Sequence, residues 1–524
     1  MSQSTLRFSL NRSVRLTFVF LVFLFLLAIA LPTRSVFAIT DGGLDTTFLP
    51  EVKGLSNGII NTSAIQPDGK IIIGGSFYTV NGVDRRYYIA RLNVNGSLDT
   101  SFSPLFNGVI NAVFIQKDEK ILVSGSFNQV NGFSRSYLVR INSDGSLDDT
   151  FNVTLSYSSS GVSIVEQPDG KILIAGEFVT VNGASARYIA RLNENGSLDA
   201  SFNTGSGPSS LLKGAIFDSI NEKIVIYGNF TQYNNTPRTY VARLNLDGSL
   251  DPSFAPGLDA YVETLLVQPD GKLIIGGQFS TVNITSRPNI ARFNADGNLD
   301  STFDPGTGMR LTYGPGIVSS LALQPDGKIL VGGLFSKING VNTPCMARLN
   351  ANGSLDNSFS IGTGLNDCYY EQRYLFFNTG KILLTGPFTT INGISRPYIA
   401  RLNNTLPGYS SNPDLNSTIN VGTAPIGGSV SSTMQISEIG SAMLNVTGYS
   451  LSGAHAGDFS LQPASLSIAD GGSVQNVGVI CTPHAMGSRT ATLTINHNGV
   501  GGPASYTLIC TGTEARVYLP VVIR

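Results

Sequence analysis

A single phrase, returning seven times, constrains this chain more than any other feature. It is centred on Lys70, Lys120, Lys171, Lys223, Lys272, Lys328 and Lys381, at intervals of 49 to 56 residues. The first copy reads QPDGKIIIGGSF, Gln66 to Phe77, and the others run on to SGSF, AGEF, YGNF, GGQF, GGLF and TGPF. A loop often reading VNG follows, then ARLN, then NGSLDxxF, or close variants of each. Four short β-branched runs separated by turns, repeated at this period, predict propeller blades and suit solenoid coils less well. A phosphate loop would open a helix so that its amides converge on an anion, whereas Gly69 and Lys70 open a strand. Asp68-Gly69 suits a tight hairpin turn with positive φ, and Asp118-Glu119 and Asn221-Glu222 keep that turn without the glycine.

The ends of the repeat array carry an independent argument. The chain has an isolated LDTTF at Leu44 to Phe48, and the last repeat stops after ARLN at Asn403 with no LDxxF behind it. The orphan N-terminal strand is therefore expected to complete the last blade, which joins the ring and removes two open sheet edges. The motifs QPDGKIIIGGSF and ARLNxxGSLDxxF together resemble the delta-60 family of bacterial β-propellers over about residues 41 to 404. That resemblance implies a seven-bladed propeller of four-stranded blades and no established catalytic residues. Blades 2, 4 and 7 depart from the pattern locally, at Glu119, at INEK with a lost VNG loop, and at NTG.

Residues present in every unit are expected to hold blades together. They include Arg91, Arg140, Arg191, Arg243, Arg292, Arg348 and Arg401, and Asp45, Asp99, Asp148, Asp199, Asp251, Asp300 and Asp356. Arg to Asp or Arg to backbone hydrogen bonds are predicted, because an unpaired buried charge is costly. The Phe residues of GGxF and LDxxF are read as core between blades.

Function is sought where loops vary. The PDGK and NGS turns are expected on one face, and the VNG loop and the blade-to-blade connections on the other, variable face. Tyr157, Tyr313, Tyr369 and Tyr370 gather in those connections, the longest of which is GTGMRLTYGPG, 306 to 316. Arg86, Arg135, Arg187, Arg238, Arg287 and Arg396 precede the repeated arginine by four or five residues and suggest an incomplete basic ring for an anionic polymer. Pairing with nearby carboxylates, or packing over apolar surface, is the structural alternative. Nine residues before each turn lysine stand Asn61, Asn111, Val162, Gly214, Glu263, Ser319 and Gln372, a mostly polar set assigned to the central channel. A slip of one residue would turn each to the opposite side.

All three histidines, His455, His484 and His497, lie outside the repeats, which gives little support for catalysis. Glu263 with Glu371 is the best carboxylate pair for a glycosidase. The Asn-x-Asp-Gly stretches lack the ligand spacing of a calcium loop, and no cofactor or metal is expected. Cys345 with Cys368 and Cys481 with Cys510 are the disulfides that sequence order suggests. Free buried thiols are the alternative for the second pair.

Arg7, Arg12 and Arg15 followed by an apolar run from Leu16 to Leu31 and Ser35-Val36-Phe37-Ala38 read as a secretory signal peptide, residues 1–38. A single-pass anchor is the alternative. Without that segment the balance is 30 basic against 35 acidic residues, which argues against a nucleic-acid partner. The expected organisation is a propeller at 39–404, a Pro, Ser and Asn-rich linker at 405–415, a β-sandwich at 416–514 and a tail at 515–524. INVGTAPIGGSV, LSGAHAGDFSL, CTPHAMGSRTATLTINHNG and YTLICTGT resemble an immunoglobulin-like module related to the Hydin and abnormal-spindle repeats, of choice-of-anchor type. The resemblance implies a spacer or adhesion unit of a bacterial surface protein. The functional expectation is a secreted or cell-surface, non-catalytic binding protein for an extracellular polysaccharide or envelope partner, with no membrane span after signal cleavage. A propeller glycoside hydrolase or lyase and a self-assembling surface protein are the other readings.

Overall fold

The computed structural model describes residues 41–54, 60–84, 87–156, 161–324, 326–368, 373–376, 381–404, 409–439, 442–469, 472–499 and 503–514, with backbone alone at 84 and 373–376. The signal-peptide reading, the 515–524 tail, Arg86, Tyr157, Tyr369, Tyr370, Glu371 and Gln372 lie outside the described residues.

Each repeat begins as a three-stranded antiparallel sheet. In the first, Ile60–Ile65 pairs with Ile71–Gly75, which pairs with Ile89–Leu92. The order is kept through to Arg373–Phe376, Ile382–Thr385 and Ile399–Leu402 in the seventh. The middle strand of the first repeat is buried at every residue, as expected when both faces of a sheet are covered. Its alternation divides between neighbours: Ile71 and Ile73 pack with Leu383 and Ile399 of blade 7, while Ile72 packs with Ile121 and Val123 of blade 2. The LDxxF strand is short and meets its sheet through one residue, Leu98 opposite Leu92 in the first repeat. It turns away at once because Asp99 Oδ1 accepts the Ser101 N–H and Oγ–H at 3.0 and 2.6 Å.

The ring closes as the orphan strand requires. Leu44 bridges Leu402, the Asp45 N–H donates to the Arg401 carbonyl at 2.8 Å, and the Asn403 N–H donates to that of Gly43 at 2.7 Å.

Every seam repeats one ion cluster. Arg91 Nε donates to Asp99 Oδ2 at 2.8 Å, its Nη1 reaches the Ser143 carbonyl of the next blade at 2.6 Å, and its guanidinium lies 4.7 Å from the Phe102 ring centroid. Lys70, from the QPDGK turn, adds a contact to the same Asp99 oxygen at 3.1 Å. Both expected modes, Arg to Asp and Arg to backbone, thus operate together in six seams, and in blade 6 Arg348 Nη1 donates instead to Asn404 Oδ1 at 3.2 Å.

The VNG loop departs from expectation. It is a hairpin, Phe77–Val80 with Val83–Asp84 in blade 1, that folds back along the outer edge of its blade. Its Asn side chain reaches the NGS turn: Asn81 Nδ2 to the Gly96 carbonyl, Asn131 to Gly145 and Asn182 to Gly196, each at 3.0 Å. The hairpin tips therefore belong with the turn face. The connection from the preceding blade pairs with the hairpin, as Val52 with Val80 and Phe106 with Val130, and forms the outermost layer. The cause is length, since a loop long enough to form its own ladder satisfies its backbone groups against that connection rather than in solvent.

The C-terminal region comprises a four-stranded and a five-stranded sheet that share one core, including Met434, Val479, Leu493 and Leu508. The Cys481–Cys510 disulfide links the two sheets. Its first strand, Tyr409–Asn412, falls in the segment read as linker. The polar SSN hides an edge strand that Tyr409 anchors in the core.

Candidate functional site: the mouth of the central channel

The seven innermost strands surround a channel. The turn after the first innermost strand is closed by the Gly69 N–H to the Gln66 carbonyl at 2.8 Å, with Gly69 at φ +80°. Where the chain enters these strands there is a cavity of about 600 Å³, lined by six of the seven.

Four of its polar side chains, Asn111, Lys213, Glu263 and Ser319, sit on β-bulges. In blades 1, 2, 4, 5 and 6 the innermost strand carries one extra residue opposite its partner, and these are Asn61, Asn111, Lys213, Glu263 and Ser319. A bulged residue leaves the ladder and its side chain is re-aimed. Four of the residues counted from the turn lysine are therefore these bulge positions. Gly214 is not, because the blade 4 turn is one residue longer: Phe217 and Ile224 are paired across six residues where Ile65 and Ile71 span five. The slip puts Lys213 at the mouth. Val162 pairs regularly with Gly176, so blade 3 has no bulge.

Lys213 Nζ and Glu263 Oε2 form an ion pair between blades 4 and 5, and Gln278 Nε2 donates to Glu263 Oε1 at 3.2 Å. Across the cavity, Asn61 Nδ2 donates to Asn111 Oδ1 at 2.9 Å and to the Ile110 carbonyl at 3.1 Å. The residues two positions before Lys213 and Glu263 are Leu211 and Tyr261, exposed at 38% and 41%. Tyr261 stands edge-on to Tyr240 with centroids 5.1 Å apart. Its backbone is held close to blade 5, where a Cβ on Gly277 would lie 2.1 Å from the Tyr261 carbonyl oxygen. Two exposed apolar side chains thus stand near an ion pair between the exposed Lys213 and the partly buried Glu263, and counting from the turn lysine missed Leu211, Lys213 and Tyr261.

The candidate arginines are not brought to this cavity. Arg135, Arg238, Arg287 and Arg396 stand on the return limbs of their own hairpins, each with Nη1 donating to the preceding residue's carbonyl at 2.7 to 3.0 Å. Arg135 also contacts Asp149 at 3.4 Å, and Arg187 is exposed. Tyr313, 93% exposed, caps the 306–316 loop before blade 6.

One further position is shared by all blades. Tyr88, Tyr137, Tyr188, Tyr240, Asn289, Cys345 and Tyr398 precede the third strand with φ between 66° and 70°. Where Tyr is replaced, the residue ties down the connection to the next blade. Asn289 receives the Met309 N–H at 3.1 Å and donates to the Gly316 carbonyl at 2.7 Å, bracketing the Tyr313 loop. Cys345 is bonded to Cys368 just before blade 7, as sequence order suggested.

Seven segments, 66–102, 116–151, 167–202, 221–254, 268–303, 324–359 and 378–405, match a family described as a β-propeller domain of unknown function, DUF5122. The chain is a β-propeller repeat protein. No curated protein matches the propeller or the rest of the chain. Among solved structures, a catalytically inactive virginiamycin B lyase from Staphylococcus aureus with quinupristin is similar at 14% identity and a TM-score of 0.37, over 68% of this chain and 98% of that one. The ASH/PapD-like domain of human CEP192 is similar at 14% identity and a TM-score of 0.18, over 24% and 95%. Likeness of that extent carries no inference about activity for the propeller.

Proposed function

We propose that this propeller is an exported, non-catalytic binding protein of a bacterial surface, which takes a polysaccharide at the channel mouth. The observation that carries this reading is a mostly polar cavity whose lining includes Leu211, Lys213 and Glu263, with Gln278 bonded to Glu263 and the exposed Tyr261 two residues before it in the chain. Concave sites with an apolar wall and a few convergent polar groups are the usual form of a small-ligand site. The repeated residues are engaged in seams, so recognition falls to residues that differ from blade to blade. Two disulfide pairs are compatible with an oxidising compartment. The C-terminal two-sheet region is read as an immunoglobulin-like spacer or adhesion module. Hydrolysis is disfavoured because Glu263 is committed to Lys213 and Gln278.

The test is binding of the purified mature chain to an array of immobilised polysaccharides. Saturable binding to a subset, weakened by Tyr261→Ala, supports the reading. No binding to any polysaccharide would replace it with a protein partner or self-assembly.

A further inference from the structure

Resting on that reading, we infer that Tyr227 is the stacking residue of a sugar subsite on the blade 4 wall of the channel mouth. It is the one aromatic side chain among the described residues that line the cavity. Its place in the repeat is held in every other blade by a smaller residue: Gly74, Ser124, Ala175, Gly276, Gly332 and Thr385. Two neighbours fill the space, one on the next blade and one on the innermost strand. A Cβ on Gly74 would lie 2.6 Å from Ile110 Cγ2 of blade 2 and 2.8 Å from Thr62 Cγ2. One on Gly276 would lie 2.5 Å from Val318 Cγ1 of blade 6 and 2.8 Å from Thr264 Cγ2.

Blade 4 seats a ring there by removing the second neighbour. Gly214 stands opposite Tyr227, where Thr62 stands opposite Gly74 and Thr264 opposite Gly276. Val262, the counterpart of Ile110 and Val318, is kept and buried. The ring is therefore turned over the glycine: a Cβ on Gly214 would lie 2.5 Å from Tyr227 Oη and 2.7 Å from its Cζ. Half-buried, Tyr227 rests in part on the blade 5 core and in part lines the cavity. A ring fixed in this way loses little freedom when a ligand covers it. Lys213 on the adjoining bulge, Asn229 and Glu263 line the cavity with it. A pyranose lays its apolar C–H face on such a ring, while its hydroxyls accept from the ammonium and donate to the carboxylate. Blade 4 thus gives up the threonine that packs this position in blades 1 and 5 and gains an aromatic surface at the mouth. A local departure of that kind belongs to a functional site rather than to a seam.

The experiment is calorimetric titration of the mature chain with hexasaccharides of glucan, mannan, xylan, chitin and galacturonan type, and then of variants with the tightest of them. Tyr227→Ala should weaken that ligand about tenfold or more, and Tyr227→Phe should hold it within about threefold. The backbone at Gly214 lies outside the positive-φ region, so Gly214→Ala crowds only the ring. That variant should also weaken binding, yet add nothing in the Tyr227→Ala background. Each variant is titrated well below its own melting temperature, so that a change in stability does not enter. Tyr227→Ala binding as tightly as the parent, with Tyr261→Ala weakened, would overturn the assignment and leave glycan binding at the mouth standing. A Gly214→Ala loss that persists in full without the tyrosine would overturn the seating of the ring. Absence of binding by the parent to every oligosaccharide and to the polysaccharide array would overturn the glycan reading itself.

Discussion

Arg401 donates its Nε–H to Asp45 Oδ2 at 2.8 Å across 356 positions of sequence, and this contact closes the ring. In other seams the equivalent pair lies eight residues apart, as Arg91 with Asp99. Blade 7 has no LDxxF of its own, so Asp45 supplies the carboxylate, Thr47 its cap and Phe48 the ring beneath the guanidinium at 4.6 Å. Asp41 adds a second carboxylate to blade 6, contacting Arg348 Nη2 while Asp356 holds its Nε at 2.7 Å.

Asp45→Ala is therefore expected to act differently from Asp99→Ala. Both leave a buried guanidinium uncompensated, which costs roughly 3 kcal/mol. Only the first also frees the terminal strand and exposes the blade 7 edge. Limited proteolysis should cut the Asp45→Ala chain near its N-terminus under conditions that spare Asp99→Ala. Equal resistance would show that backbone pairing alone secures closure.

Acid should loosen the ring through these carboxylates. Burial opposes the charge on Asp45, but hydrogen bonds from Thr47 and the cations of Arg401 and Lys381 outweigh it and pull the carboxyl down to about 2. Asp99, Asp148, Asp199, Asp300 and Asp356 are lowered in the same way, by a Ser or Thr cap and the Lys and Arg beside them. A carboxyl that binds its proton less readily when folded stabilises above its unfolded value, near 3.8, and the contribution disappears as pH falls toward 2. The propeller's melting temperature should be level from pH 7 to about 5 and then drop steeply. In Asp45→Asn the drop should be shallower from a lower start.

The C-terminal region should weaken at a milder pH, through His497. Burial pushes this imidazole down to about 4. Its ring stacks on Tyr409 at 4.1 Å, Nδ1 accepts the Gly499 N–H at 3.1 Å, and Nε2 is buried with no hydrogen-bond partner. Here the unfolded chain binds the extra proton, so stability falls as pH drops from about 6.5 toward 4. His497→Phe should abolish that slope. A slope unchanged in the variant would place the titration elsewhere.

Glu119 occupies the glycine position of its turn with φ +65°. A side chain in that region costs roughly 1 kcal/mol relative to glycine, part of which returns as lost chain entropy. Glu119→Gly is expected to raise stability modestly, by about 0.5 kcal/mol, in denaturant melts, and a loss would mean that the Glu119 side chain makes compensating contacts.

Cys345 and Cys368 close a loop of 23 residues, and removing such a link costs about 3 kcal/mol. Cys345→Ala should be less stable than the parent by about that free energy in denaturant melts, and non-reducing peptide mapping should recover the pair in the parent. Finding both cysteines alkylated there would refute the bond.

The blade count and seam residues could be read from the chain because each depends on local repetition, ring closure because the ends of the repeat array are incomplete, and the cysteine pairings from sequence order. A residue that recurs once per unit occupies the same place in every blade, and its burial between identical neighbours follows from symmetry. Tertiary structure alone decided the mouth. Whether Lys213 or Gly214 enters the channel depends on one added residue in a turn and one bulge in a strand, and a shift of one residue reverses the direction of a side chain. The arginines show the converse: their spacing is regular, but the hairpins that carry them fold outward. Regular spacing along the chain makes residues equivalent, and only the path of the backbone determines whether equivalent residues converge.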